Sequence, residues 1–139
     1  MSMTTEQIDA FLAEPHLCHF ATVDAKGHPR VRPVWYLWRD GGFWLTTRQE
    51  SRHTGRDLAN QPRVAISVAS EGRPYKAVIA HGTPQILPKD REILLALSTR
   101  YGEEQGRRWT DEEAMLQSDR IVMRLVPEQV FAWDYGTDV

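Results

Sequence analysis

The sequence predicts a mainly β protein of the α+β class, an antiparallel barrel or strongly curled sheet with peripheral helices. Three observations carry that prediction. Short runs rich in β-branched and aromatic residues follow one another at hairpin spacing. Turns bearing glycine or proline separate them. No βαβ repeat appears, so a parallel sheet is not expected.

Taken in order, Thr4 or Thr5 caps a first helix with Ile8, Phe11 and Leu12 on one face. Glu14 and Pro15 end it. Leu17 to Val23 is a strand, with His19 facing a rim. Asp24 to Gly27 is a turn. Residues 28–40, HPRVRPVWYLWRD, form a second strand carrying Pro29 and Pro33. A proline inside a strand marks an edge, a bulge or a missing ladder bond. Two readings of Pro33 stand: a bulge that curves the sheet, or an opened strand that offers backbone groups to a ligand.

Arg39 to Gly42 is a hairpin turn, and Phe43 to Thr47 a third strand. A short helix follows and closes at Pro62. Arg63 to Ala69 and Tyr75 to Leu87 are strands, the latter weakened at Gly82 and Pro84. Pro88 to Tyr101 is a helix with Ile93, Leu94 and Leu97 inward. Gly102 to Arg108 is a charged loop, and residues 110–117 an acid-rich helix. Arg120 to Leu125 is the last strand, continued from Gln129 to Trp133.

Composition bounds the function. The hydrophobic share is 41% and the charged share 26%, ordinary values that predict one soluble domain over residues 1–139. Net charge is −2, which does not suggest a nucleic-acid binder, so any positive site is local. One cysteine, Cys18, excludes an internal disulfide framework and suits a reducing, cytoplasmic setting. No signal peptide or membrane-spanning run is evident. Five tryptophans are a surplus that suits a core, an oligomer interface or a pocket for a flat ring.

The stretch from Phe43 to Val64, FWLTTRQESRHTGRDLANQPRV, concentrates donors. Thr46, Thr47, Ser51, Arg52 and His53 crowd one turn. Ser51 is a good N-cap, and a helix starting there aims backbone N–H groups into that turn. The set suits a phosphate. A solvated, capped turn with scattered charges is the plain alternative. No GxGxxG, Walker loop, GxSxG or metal-ligand spacing occurs, so an enzyme of this sequence needs chemistry from a cofactor.

The layout resembles the flavin-binding split β-barrel superfamily, the pyridoxamine-phosphate-oxidase-like proteins. The likeness rests on FLAEPHLCHFATVDAKGHPRVRPVWYLW, FWLTT…SRHTGRDL…PRVAISV, YKAVIAHGTPQI and DRIVMRLVPEQVFAWD. It covers nearly the whole chain, and is nearest to the small branch that uses FMN or a deazaflavin. It implies a six-stranded antiparallel split β-barrel with peripheral helices. It also implies an oxidoreductase in which hydride passes between bound FMN or coenzyme F420 and a small-molecule substrate.

Carried over, Thr46, Thr47, Ser51, Arg52 and His53 hold the cofactor phosphate. Arg32, Pro33, Val34 and Trp35 lie against the ring, and Lys76 stands near ring or phosphate. The sequence departs from the family where a basic residue is usual at His53 or Thr54, and Gly55 reads as an insertion. Which of His53 and Thr54 faces the phosphate stays open. The resemblance further implies a homodimer with Trp133 closing the site from the partner chain. A deazaflavin carries an acidic tail, for which Arg48, Arg52, Arg56, Arg73 and Lys76 are the candidate cations. The end, VFAWDYGTDV, lacks the basic substrate motif of pyridoxamine-phosphate oxidase itself. The alternative is a non-catalytic flavin or haem carrier of the same fold.

Overall fold

A computed structural model describes residues 2–48, 53–104 and 119–136. Helix α1 (Thr5–Ala13) starts in a capping box. The Thr4 hydroxyl accepts the Gln7 N–H at 3.2 Å, and the Gln7 side-chain oxygen accepts the Thr4 N–H at 2.8 Å. Phe11 and Leu12 are its buried residues, as the spacing predicts.

Strands β1 (Cys18–Val23) and β2 (Pro29–Val34) form a hairpin. Its turn is built on Asp24, whose Oδ1 accepts the N–H groups of Lys26 and His28, both at 2.9 Å. Strands β3 (Leu37–Arg39) and β4 (Gly42–Arg48) form a second hairpin. Asp40 and Gly41, at φ 53° and 69°, give the left-handed pair that a tight two-residue turn requires.

Helix α2 (Thr54–Asn60) follows, then β5 (Val64–Ala69), β6 (Tyr75–Gly82) and β7 (Gln85–Leu87). Helix α3 (Arg91–Glu104), β8 (Arg120–Leu125) and β9 (Gln129–Gly136) complete the described elements. Helix α2 does not begin at a Ser51 cap. Its N-cap is His53, already at helical φ and ψ and without a side-chain capping bond. Helix α3 runs through Gly102, where a loop is expected from the charge run. The expected helix at 110–117 lies outside the described residues.

Two antiparallel sheets result, one of five strands in the order β2-β1-β5-β6-β9 and one of four in the order β3-β4-β8-β7. Neither closes on itself, so the six-stranded barrel is not what the strands form individually. Among the described residues the six expected strands become nine because three of them break, and each break passes the chain from one sheet to the other. At Trp35–Tyr36 the Tyr36 N–H is taken by the Tyr101 hydroxyl at 3.1 Å instead of a ladder partner. Pro84 and Pro127 lack the N–H at the other two breaks. Gly82 stands at one corner because a Cβ there would lie 2.9 Å from Leu125 Cδ1.

The main core packs Phe20, Tyr36, Phe43, Leu45, Ile66 and Leu125 between the sheets, with α1 against them. A second cluster packs Ile93, Leu94, Leu97 and Tyr101 of α3 against Val122, Trp35 and Trp44. Strand β2 is therefore an edge strand of the larger sheet, and it borders α2 through its partner β1.

Candidate polar site at the mouth of the two sheets

Alternation on β2 turns Arg30, Arg32 and Val34 to one face and Val31 and Pro33 to the other. Register assigns the faces. Arg30 pairs with Thr22 and Arg32 with Phe20, both buried, so the two arginines point inward. Val31 is exposed, as is Pro33.

A buried carboxylate gathers these groups. Asp57, on α2, is 2% exposed. Its Oδ2 accepts the Thr22 hydroxyl at 2.6 Å and lies 3.2 Å from Arg30 Nε and 3.7 Å from Arg32 Nη2. The Arg30 contact is ionic only, because its N–H direction misses the oxygen. Both Arg32 Nη atoms donate to Thr22 Oγ1 at 3.1 Å, and Nη1 also reaches the Phe20 carbonyl at 3.3 Å. Burial lowers the Arg32 pKa from its usual value, and the Asp57 charge works against that shift.

Arg30 continues the network outward. Its Nη1 lies 2.9 Å from His53 Nδ1, and its Nη2 donates to Asp24 Oδ2 at 3.4 Å. Arginine has donors only, so His53 Nδ1 is the acceptor in this contact. The low pKa of Asp24 has the His28 N–H as its first cause, with the Lys26 N–H and the His28 and Arg30 charges in support.

The sequence-predicted residues fall in several places. Arg32 and His53 belong to this network. Thr46 gives its hydroxyl to the Ile121 carbonyl at 2.9 Å, while Thr47 turns to the face of Phe43 and Leu45. Ser51 and Arg52 lie outside the described residues. His53 is exposed and Thr54 buried, so His53 is the one that meets solvent. Pro33 and Val34 point to opposite faces. Trp35 leaves β2 altogether and stacks on Tyr101, with centroids 4.8 Å apart. Lys76 lies three strands from β2, roughly 14 Å away, and at the opposite end of the sheet from Thr22. Arg73 sits over the Tyr75 ring at 5.5 Å. Within one chain these last three are not brought to the arginines.

Thr22, Arg30 and Asp57 were not among the predicted site residues. The hairpin register about the Asp24–Gly27 turn was enough to set Thr22 opposite Arg30. Asp57 carried no local signal, since its partner lies 35 residues away.

Two antiparallel sheets that exchange bent strands place the chain among the small pyridoxamine-phosphate-oxidase-like β proteins. The pyridoxamine 5'-phosphate oxidase family model matches residues 4–134, and the chain belongs to that family. The heme oxygenase HutZ of Vibrio cholerae is 27% identical over 94% of this chain and 76% of its own length. A pyridoxine/pyridoxamine 5'-phosphate oxidase of Burkholderia mallei is 44% identical, but over only 44% of this chain and 28% of its own. Among solved structures, an F420 reductase superposes with a TM-score of 0.71 at 26% identity, covering 88% of this chain and 94% of that one.

Proposed function

We propose that this protein is a dimeric oxidoreductase that binds FMN or the deazaflavin coenzyme F420 and passes hydride between it and a small-molecule substrate. One observation carries the reading: Arg30 and Arg32, both partly buried, enter the same inner end of edge strand β2, held by Thr22 and Asp57. Two guanidinium groups fixed in advance suit a phosphate ester, because the anion meets oriented donors. Thr47 shares the inward side of β4. The exposed edge of β2 at Val31 and Pro33 offers a flat apolar border to a ring. The bound coenzyme supplies the redox chemistry, and the protein supplies position and a dry wall.

The pairing supports the split-barrel description. Taken with their continuations, β2–β3, β6–β7 and β8–β9 reduce nine strands to six, each paired on both sides. The exposed Val31, Phe131 and Tyr135 and the Phe131–Trp133 stack, at 5.9 Å between centroids, support a two-fold contact on this sheet. A second copy would bring its Lys76 and Trp133 toward the β2 edge.

A second reading is a haem carrier. It is favoured by the match to HutZ over 94% of this chain and by His19 and His81, which share the outer face of the five-stranded sheet. Absorbance and fluorescence titration of the purified protein with FMN, F420 and haem tests the choice. Quenched flavin or deazaflavin emission at a stoichiometry of one per chain supports the oxidoreductase. Haem binding with neither of the others contradicts it.

A further inference from the structure

Arg30 divides its three nitrogens among different neighbours. Nε lies 3.2 Å from Asp57 Oδ2, Nη2 donates to Asp24 Oδ2 at 3.4 Å, and Nη1 lies 2.9 Å from His53 Nδ1. The first two directions end on carboxylates. The third ends on an imidazole, so an incoming anion can take the Nη1–H without displacing a negative charge. His53 is exposed, and with Arg30 it lines a cavity of about 490 Å³ that leaves an anion room.

Among the described residues, the charged and titratable groups around the His53 ring come from three places. Arg30 stands on β2, Asp24, Lys26 and His28 belong to the β1–β2 turn, and Arg56 and Asp57 to α2. Asp24 accepts the Lys26 and His28 N–H groups and Arg30 Nη2, with His28 Nδ1 at 3.5 Å. Asp57 is held by Thr22 and the arginines. Neither carboxylate forms an ion pair with His53 among the described residues. A proton on Nδ1 would meet the Arg30 guanidinium head-on, donor against donor, so this contact and a proton on that nitrogen exclude each other.

An anion reverses the preference. A phosphate oxygen that accepts the Arg30 Nη1–H removes the donor that Nδ1 had. Nδ1 then bonds the same anion only as a donor itself, with a proton taken from solvent. One hydrogen bond breaks, Nη1–H to Nδ1, and two form, Nη1–H and Nδ1–H to phosphate oxygens. We propose that His53 is a proton-linked ligand: the site takes up a proton at His53 as it takes up the cofactor phosphate. This rests on the proposed cofactor reading and adds its regulation. The protonated ring is favoured by the bound anion and opposed in its absence, so affinity rises as pH falls and is withdrawn as pH rises. Histidine is the side chain that changes charge between about pH 5 and 8. A basic residue that stays charged, as the family resemblance implies for this turn, would hold a phosphate without that dependence.

The test is a fluorescence titration of the full chain with FMN and with riboflavin from about pH 5.5 to 8. F420 takes the place of FMN if FMN does not bind. Wild type is compared with His53→Gln, His53→Lys and His28→Gln. Both histidines are exposed, so the fold is expected to persist, which a melting curve checks. The FMN phosphate itself titrates at about pH 6 in every variant, so the readout is each affinity divided by that of His53→Gln. For wild type that ratio is expected to rise about tenfold from the alkaline to the acid end. It stays level for His53→Lys and for riboflavin, and His28→Gln keeps the wild-type rise. Calorimetry in two buffers of different ionisation enthalpy is expected to show wild type taking up more protons per bound FMN than His53→Gln. A level wild-type ratio overturns the inference and leaves the flavin reading intact. A rise that persists for riboflavin, or that vanishes in His28→Gln, does the same. Failure of both FMN and F420 to bind at any pH overturns the functional reading and the inference together.

Discussion

The Thr22 hydroxyl donates to Asp57 Oδ2 at 2.6 Å, joining β1 to α2 inside the protein. This bond and the two arginines make Asp57 a buried charge that is fully compensated. Removing it strands Arg32 without a counter-charge and leaves Arg30 only Asp24, at 3.4 Å. Asp57→Ala is expected to cost about 3 kcal/mol, below the upper range because Arg30 keeps 38% side-chain exposure. Thr22→Val removes one donor and one acceptor and is expected to cost about 2 kcal/mol. Thr22→Ser should restore most of that. Urea denaturation with an unchanged m-value checks all three. Losses under 0.5 kcal/mol in both damaging variants would show that the cluster does not hold α2.

The Tyr101 hydroxyl closes the first strand break. It accepts the Tyr36 N–H at 3.1 Å and lies 2.6 Å from the His16 carbonyl, which it can donate to. Tyr101→Phe leaves the buried Tyr36 N–H without a partner, at a cost of about 1–3 kcal/mol. Amide exchange at Tyr36 should accelerate more than at Ile66, which lies in the middle of β5. Equal acceleration at both would point to global loosening instead.

How much of this was legible varies by element. Helix α1 was legible because its cap, its face and its terminating Pro15 lie within a dozen residues. The hairpins were legible from Asp24–Gly27 and Asp40–Gly41. The sheet exchange was not, because alternation runs unbroken through Trp35 and Tyr36. Only a hydroxyl 65 residues away diverts the ladder there. Pro33 keeps an uninterrupted register opposite His19, so neither the bulge nor the opened strand forms at that residue; the break comes two residues later. In the site, Arg32 follows from the family resemblance, and Arg30 shares its face of β2. Ser51 has good capping chemistry, yet the helix begins at Thr54, since a capping side chain is only a local preference.

Cys18 gives a pH prediction. Its thiol is fully buried, and burial pushes its pKa from 9.0 to about 12. The folded chain therefore keeps a proton that the unfolded chain releases earlier. The associated stability is complete below pH 9.0 and is lost as pH rises toward about 12. A thiol reagent at about pH 8 should label Cys18 only as fast as the protein opens. Cys18→Ala should show a shallower alkaline loss of stability than wild type. Immediate labelling of the native protein would contradict the burial.

The proposed role of the β2 arginines is to hold the phosphate of a flavin-type cofactor. Riboflavin and FMN share a ring and differ by that phosphate, so their relative affinity reads the claim directly. Fluorescence titration of wild type and Arg32→Gln with both ligands is the decisive measurement. FMN is expected to bind at least about a hundredfold tighter than riboflavin, with most of the difference gone in Arg32→Gln while riboflavin affinity stays constant. Equal binding of the two ligands to wild type would contradict it.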